Sequence, residues 1–192
     1  NVARLRGELD GPTPEDRYAA FVAGLAQPAR ATALRAEYPA LFDLAAKRLD
    51  LWAAAGIELV ERLRADWASI RAALLPGEEP GLLHAIAWPQ RSTKRGGRAV
   101  AILSFASGAR LVYKPRSLAA DGHFQALLGW LNERGFQPAF RPLPQLDRGT
   151  YGWMAWVEAG ECATADGVRR FYRRQGAYLA LPDALEATDF PL

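Results

Sequence analysis

The chain has 192 residues, half of them hydrophobic and 23% charged, a composition typical of a folded globular protein and unlike that of a disordered or collagen-like chain. Charged residues interrupt the apolar stretches before they reach the length of a membrane span, so we expect no transmembrane segment. The net charge of +3 suits an anionic ligand but is too small to indicate nucleic-acid binding.

The first third of the chain carries the signals of helices. Thr13 is a favourable N-capping residue, Pro14 follows it, and two acidic residues come next. From position 41 to 75 apolar residues recur at helical spacing, which predicts a long amphipathic helix. We interpret its apolar stripe as a packing surface, formed by Leu49, Trp52, Gly56, Leu59, Leu63, Trp67, Ile70 and Leu74. The opposite face is predicted to be polar and carries Arg62, Arg64, Asp66 and Arg71.

A Pro- and Gly-rich break at residues 76–81 separates this part from one with a different period. The β-prone runs 100–105 and 110–113 flank a short turn, which predicts a β-hairpin. A helix is predicted for residues 118–134, and further strands for 140–146 and 152–158. A last helix is predicted to begin near Thr164 and to carry four residues inward: Val168, Phe171, Tyr172 and Leu179.

This order of elements predicts an α+β fold. A helical region, residues 1–80, precedes a small antiparallel sheet with packed helices, residues 81–192. The N-terminal lobe of kinases has the same order of elements in its sheet region, as do many other α+β folds.

The strongest candidate for chemistry is Lys114, which follows an apolar strand that Pro115 ends. In kinases a strand lysine binds the nucleotide phosphates, because its fixed ammonium offsets the charge of the phosphate oxygens. Upstream, Gly96 and Gly97 could bring backbone amides close to phosphates. A solvated basic turn explains the two glycines equally well, and both interpretations stay open.

The run that follows Gly152 is apolar enough for a buried strand that leads into a connector. For Trp153 and Met154 a place in the core is the favoured interpretation. In a kinase-like fold the connector meets the adenine, which makes cofactor-binding candidates of Trp156, Val157 and Glu158.

Other reactive or charged residues give weaker signals. Asp189 could act as a general base towards a substrate hydroxyl, although a solvated carboxylate is the simpler alternative. Cys162 is the only cysteine, and His84 and His123 are distant from it, so no metal-ligand spacing is present. The last predicted helix could face a phosphate or an acidic partner, but a solvated face is the favoured interpretation of its Arg169, Arg170, Arg173 and Arg174.

Five strings, in order, resemble one protein family. They are residues 98–118 with LVYKPRSL at the end, 121–132 (DGHFQALLGWLN), 146–153 (LDRGTYGW), 171–176 (FYRRQG) and 187–190 (ATDF). On these strings the chain is similar to the dehydratase domain of class II lanthionine synthetases, the LanM-type enzymes. The similarity extends over nearly the whole chain and is closest from 98 to 190.

The resemblance implies a cytoplasmic enzyme that uses ATP and Mg²⁺ to phosphorylate Ser and Thr of a ribosomal precursor peptide. It then eliminates the phosphate and leaves dehydroamino acids. On this analogy Lys114 holds the nucleotide phosphates, residues 156–158 approach the adenine and Asp189 begins the catalytic loop. A zinc-dependent cyclase domain would belong to the remainder of the parent protein. From the small net charge we expect no nucleic-acid partner.

Four positions depart from the family pattern. Pro191 stands where the family has a His, Ser92 and Lys94 stand where it has an Asp and a His, and Pro182 replaces an apolar residue. The departure at Pro191 and the missing initiator Met lead us to expect an incomplete fragment that is inactive on its own. The alternative is a degenerate, non-catalytic remnant that binds a peptide or a protein partner.

Overall fold

The computed structural model describes residues 5, 7, 9–89 and 96–187. Chain contacts divide it into two compact units, Asn1–Ile57 and Glu58–Leu192. No helix within the described ranges is long and apolar enough to cross a membrane. Four positions that the sequence singled out lie outside the described residues: Ser92, Lys94, Asp189 and Pro191.

Three helices, each starting with a proline, follow one another in the N-terminal part. They are α1 (Pro14–Leu25), α2 (Pro28–Glu37) and α3 (Pro39–Leu74). Proline is favourable at the first helical position because a backbone N–H there has no acceptor within the helix, so its absence costs nothing. Thr13 caps α1 as predicted: its hydroxyl accepts from the Asp16 amide at 3.1 Å, and the Asp16 carboxylate accepts from the Thr13 amide at 3.3 Å.

The second unit contains one antiparallel sheet. Its strands are β1 (Leu83–Ala87), β2 (Ala101–Phe105), β3 (Arg110–Lys114), β4 (Gln145–Asp147) and β5 (Gly152–Ala155). They are arranged in the order β1-β2-β3-β5-β4. The predicted hairpin is confirmed as β2 and β3, whereas β1 was not predicted. Helices and one antiparallel sheet together confirm the α+β fold class, while the domain boundary at 80/81 and the kinase-like comparison stay predictions.

The main core lies between α3 and one face of the sheet. The apolar stripe of α3 is confirmed as a packing surface from Leu59 onward, where it meets side chains of β2, β3 and β5. The cluster comprises Leu59, Leu63, Ile70, Leu74, Leu75, Ala101, Leu103, Phe105, Leu111, Tyr113 and Trp153. Leu49 and Trp52, earlier on the same stripe, are exposed.

The predicted polar face of α3 is wrong at Asp66, which is only 6% exposed. A buried carboxylate is stable only when donors surround it, and Asp66 accepts hydrogen bonds from three side chains of residues 148–153. The helix therefore carries a charged contact inside its packing surface.

Two more helices complete the second unit. Helix α4 (Ala119–Glu133) agrees with its prediction, and Gly135 follows it at a φ of +82°. Helix α5 (Ala165–Ala184) begins at the predicted cap, where the Thr164 hydroxyl accepts from the Gly167 amide at 3.0 Å. Pro182 lies inside α5.

Two details of this region were predicted wrongly. The strand expected at 140–146 is limited to Gln145–Asp147, because Pro142 and Pro144 have no N–H to donate to a ladder. The inward face expected for α5 is exposed at all four positions, Val168, Phe171, Tyr172 and Leu179. The helix instead meets the described residues through Tyr178, whose ring lies 4.9 Å from that of Phe140, and through Arg174.

Candidate nucleotide site

Lys114 lies at one end of the sheet, and the glycine pair Gly96–Gly97 precedes the strand that begins at this end. It is the last residue of β3 and pairs with Gly152, the first residue of β5. Because β2 and β3 are antiparallel, the start of β2 lies at this same end, with Ala101 opposite Tyr113. The glycine pair comes shortly before β2, and its φ angles are +68° and +82°, a conformation that favours glycine.

Asp121, in the first turn of α4, forms ion pairs with two basic side chains at this end of the sheet, those of Lys114 and Arg116. Its Oδ1 lies 2.8 Å from the Lys114 Nζ, and its Oδ2 lies 2.5 Å from an Arg116 nitrogen. Burial acts to raise the pKa of Asp121, but the hydrogen bonds from Arg116 and Lys114 outweigh burial and hold the pKa below its usual range. The carboxylate is therefore ionised at neutral pH and keeps Lys114 oriented.

Sequence reasoning identified Lys114 as a candidate but missed Asp121. The signal was present, because an acidic residue seven positions after a strand lysine falls in the first turn of the next predicted helix. An acid there is favoured by the helix dipole and comes within reach of the strand end.

The connection between Lys114 and α4 is held by Asp147 at the end of β4. Its Oδ1 accepts from the amides of Leu118 and Gly149, each at 3.0 Å, and its Oδ2 accepts from the Ser117 hydroxyl at 3.3 Å. The hydrogen bond from the Leu118 amide is the main cause that lowers the pKa of Asp147. This exposed aspartate thus fixes the turn that brings α4 to the strand.

The predicted adenine contacts lie at the opposite end of β3. The strand predicted for 152–158 is wrong at its end: β5 stops at Ala155, and Trp156, Val157 and Glu158 lie in the segment that follows it. The Trp156 Nε1 donates to Glu158 at 2.7 Å, and the Arg110 guanidinium lies 5.2 Å from the centre of the Trp156 ring. From Arg110 to Lys114 the strand rises roughly 13 Å.

Lys114 thus lies at the sheet end where β2 begins, four residues after Gly97, whereas the tryptophan segment follows β5 at the other end of β3. Trp153 and Met154 are buried, which confirms their assignment to the core. Asp189 lies outside the described residues.

A second network joins α3 to the same end of the sheet. Glu58 binds Arg98 through two hydrogen bonds, of 2.6 and 3.2 Å, and lies 2.5 Å from an Arg62 nitrogen. Arg62 in turn donates to the Tyr113 hydroxyl at 2.5 Å. The hydrogen bond from Arg98 is the main cause that lowers the pKa of Glu58. This network was not predictable from local sequence patterns, because Glu58 and Arg98 are forty residues apart.

Other parts of the chain offer weaker sites. Within the described ranges, no three His, Cys, Asp or Glu side chains are grouped so that they could hold a metal ion. A cavity of about 360 Å³ beside the start of α5 is lined by Cys162, Arg170, Arg174 and Tyr178, among others. The Arg174 Nε in it donates to the Ala139 carbonyl at 3.0 Å.

Two comparisons with known proteins bear on this site. The chain is 23% identical, over 201 residues, to the "Lacticin 481/lactococcin biosynthesis protein LcnDR2" of Lactococcus lactis subsp. lactis. That match covers 98% of this chain and 21% of the relative, so the chain spans about a fifth of the relative's length. A family model described as "Domain of unknown function (DUF4135)" matches residues 38–191, which is well over half of the chain. The chain therefore belongs to the DUF4135 family.

Proposed function

We propose that this chain forms the nucleotide-binding part of a lanthipeptide synthetase dehydratase. The observation that carries the proposal is the Lys114–Asp121 ion pair, at the sheet end where β2 begins shortly after the glycine pair. Two further facts support it: the motif resemblance from 98 to 190, and the similarity to a protein named for lacticin 481 biosynthesis.

The residues at this end of the sheet suit the phosphates of a nucleotide. The ammonium of Lys114 and the guanidinium of Arg116 are the cations, and the backbone amides of Gly96 and Gly97 are additional donors. When bound, ATP supplies the phosphoryl group for a Ser or Thr hydroxyl of the precursor peptide. Lys114 offsets the negative charge that gathers on the phosphate oxygens, and Asp121 keeps its ammonium in place.

The other end of β3 suits the base. An extended nucleotide with its phosphates at Lys114 could place its adenine near the half-buried ring of Trp156, roughly 13 Å away along the strand. Val157 and Glu158 continue past this ring with exposed side chains. Their backbone groups are the proposed partners of the adenine edge.

Mg²⁺ is implied by the same proposal, but the described residues do not form a ligand set for it. The Asp121 carboxylate is already bound by two cations. We therefore assign no magnesium ligand. Asp189 is proposed as the general base towards the peptide hydroxyl on the motif resemblance alone, and the elimination step is assigned to no residue described here.

Calorimetric titration of this chain with ATP and Mg²⁺ tests the proposal. We expect measurable binding, and we expect Lys114→Met to weaken it at least about tenfold, because a charge-assisted contact to phosphate contributes about 1.5–3 kcal/mol. Lys47→Met, which removes an exposed lysine of α3, should leave the dissociation constant unchanged.

Two results would contradict the proposal. One is equal affinity of the wild type and Lys114→Met, which would remove Lys114 from the site. The other is no binding by the wild type, which would favour the non-catalytic, partner-binding alternative. In a parent synthetase, mass spectrometry of the precursor peptide should show that the same lysine substitution abolishes loss of water from Ser and Thr.

A further inference from the structure

We infer that Glu58 is a positioning residue for the glycine pair Gly96–Gly97 and that it acts through Arg98. The inference rests on the proposed function in one respect, since it takes the glycine pair to be a nucleotide contact. Its structural part concerns the backbone alone and can be tested without a nucleotide.

The contact between Glu58 and Arg98 has the geometry of a fork. The Arg98 Nε lies 2.6 Å from Oε2 and an Arg98 terminal nitrogen lies 3.2 Å from Oε1, so both carboxylate oxygens are used. Bidentate pairs of this kind fix the orientation of both side chains, which a single lysine contact does not. The Glu58 side chain is 27% exposed and that of Arg98 46%.

Because Arg98 lies next to the glycine pair, its contact with Glu58 restrains the backbone there. Arg98 directly follows Gly97, and the next residue, Ala99, is buried. Two successive glycines have more conformational freedom than any other dipeptide and lose it at an entropic cost. Because Arg98 is held by Glu58 and Ala99 is buried, the backbone directly after the glycine pair is fixed. This limits the conformations that Gly96 and Gly97 can adopt.

Glu58 also contacts, through Arg62, the strand that ends in Lys114. The same carboxylate contacts Arg62, which donates to the hydroxyl of Tyr113, the neighbour of Lys114 in β3. Arg62 lies over the Tyr151 ring as well, at 4.1 Å from its centre. One carboxylate on α3 therefore connects the backbone beside the glycine pair with the strand that ends in Lys114.

Hydrogen exchange on the intact chain tests this assignment. We expect Glu58→Gln to speed exchange of the Gly97, Arg98 and Ala99 amides by about fivefold or more, which corresponds to about 1 kcal/mol of local stability. Glu61→Gln, three residues along α3 and exposed, is the matched control and should leave these rates unchanged. Amides of β5, whose Trp153 belongs to the core, report global unfolding and should exchange as in the wild type.

Substitutions of Arg98 show whether the effect of Glu58→Gln comes from losing the bidentate contact or only from losing a charge. Arg98→Met should match Glu58→Gln, and Arg98→Lys, which keeps the charge but not the fork, should give an intermediate rate. The double variant Glu58→Gln/Arg98→Met should exchange no faster than either single variant, because both remove the same contact. Additive effects, or unchanged rates in Glu58→Gln, would overturn the inference.

Titration with ATP and Mg²⁺ then tests the link to the nucleotide. If the wild type binds, Glu58→Gln should raise the dissociation constant several-fold, and an unchanged constant would overturn the positioning role. If the wild type does not bind, the proposed function fails, while the exchange rates alone still decide whether Glu58 holds the glycine pair.

Discussion

The indole Nε1 of Trp153 donates a 2.8 Å hydrogen bond to Oδ2 of Asp66, and both side chains are buried. The same carboxylate accepts from the Tyr151 hydroxyl at 2.9 Å and from the Arg148 Nε at 2.8 Å. Asp66 belongs to α3, and its three donors belong to β5 and the turn before it. One carboxylate thus connects the helix to the strand that neighbours β3. Burial of Tyr151, together with its hydrogen bond to Asp66, raises the pKa of the Tyr151 hydroxyl.

The first prediction is that Asp66→Ala destabilises the second unit by about 3 kcal/mol. The substitution leaves the buried indole N–H without an acceptor and takes the counter-charge from Arg148, and breaking a buried pair is costly for that reason. Urea unfolding followed by tryptophan fluorescence measures the loss. Asp50→Ala, the same change at an exposed position of α3, should alter stability by less than about 0.5 kcal/mol. Similar losses in the two variants would show that the three hydrogen bonds contribute little.

The burial of Asp66 could not be predicted from the sequence, unlike several of the secondary-structure elements. The hairpin, α3 and α4 follow from local patterns: β-prone runs around a short turn, and apolar residues at helical spacing. The period of α3 placed Asp66 on the polar face, because a pattern of hydrophobicity cannot anticipate donors from residues more than eighty positions away. The same holds for Asp121 and Glu58, whose partners lie on other elements. Lys114 was predictable because strand, proline and motif all mark it locally.

The inward face predicted for α5 failed for a related reason. An amphipathic helix indicates that one of its faces favours burial, but not which residues will cover it. Among the described residues, contacts to α5 include those at Arg174 and Tyr178, whereas Val168, Phe171, Tyr172 and Leu179 stay exposed.

The second prediction concerns pH. The Asp121 carboxylate has a lowered pKa, so its ion pairs stabilise the fold fully above the ordinary Asp pKa of about 3.9 and are lost as the pH falls through the lowered value. The stability difference between the wild type and Asp121→Asn should therefore be constant from about pH 5 to 7 and shrink below about pH 4. Urea unfolding of both proteins across this range measures the difference. A difference independent of pH would mean that the carboxylate charge is not what stabilises this contact.

The third prediction concerns Gly152, the register partner of Lys114. A Cβ on Gly152 would lie 2.8 Å from the Leu146 carbonyl oxygen and would overlap the Leu118 side chain. We expect Gly152→Ala to cost about 1–3 kcal/mol through overpacking and to disturb the strand beside Lys114. The matched control is Gly160→Ala, since no atom lies within 4 Å of its added Cβ. Thermal unfolding of the two variants should separate them clearly, and equal midpoints would contradict the close packing of β4 against β5.

The last prediction concerns Asn132, near the end of α4. Its side-chain amide donates to the Phe140 carbonyl at 2.9 Å and its carbonyl accepts from the Phe140 amide at 2.8 Å. Phe140 is buried, and its ring lies 4.7 Å from that of Phe136 and 4.9 Å from that of Tyr178 in α5. Asn132 thus fixes the backbone of Phe140, and the ring of Phe140 packs against Tyr178 of α5.

Asn132→Ala should therefore cost about 1–3 kcal/mol, because two backbone groups of a buried residue lose their partners. It should also speed hydrogen exchange in α5 more than in β2 and β3, which lie outside this contact. Glu133→Ala, at the exposed neighbouring position, should change neither. If exchange in α5 were unaffected by Asn132→Ala while overall stability fell, the contact between Phe140 and Tyr178 would not be what holds α5 in place.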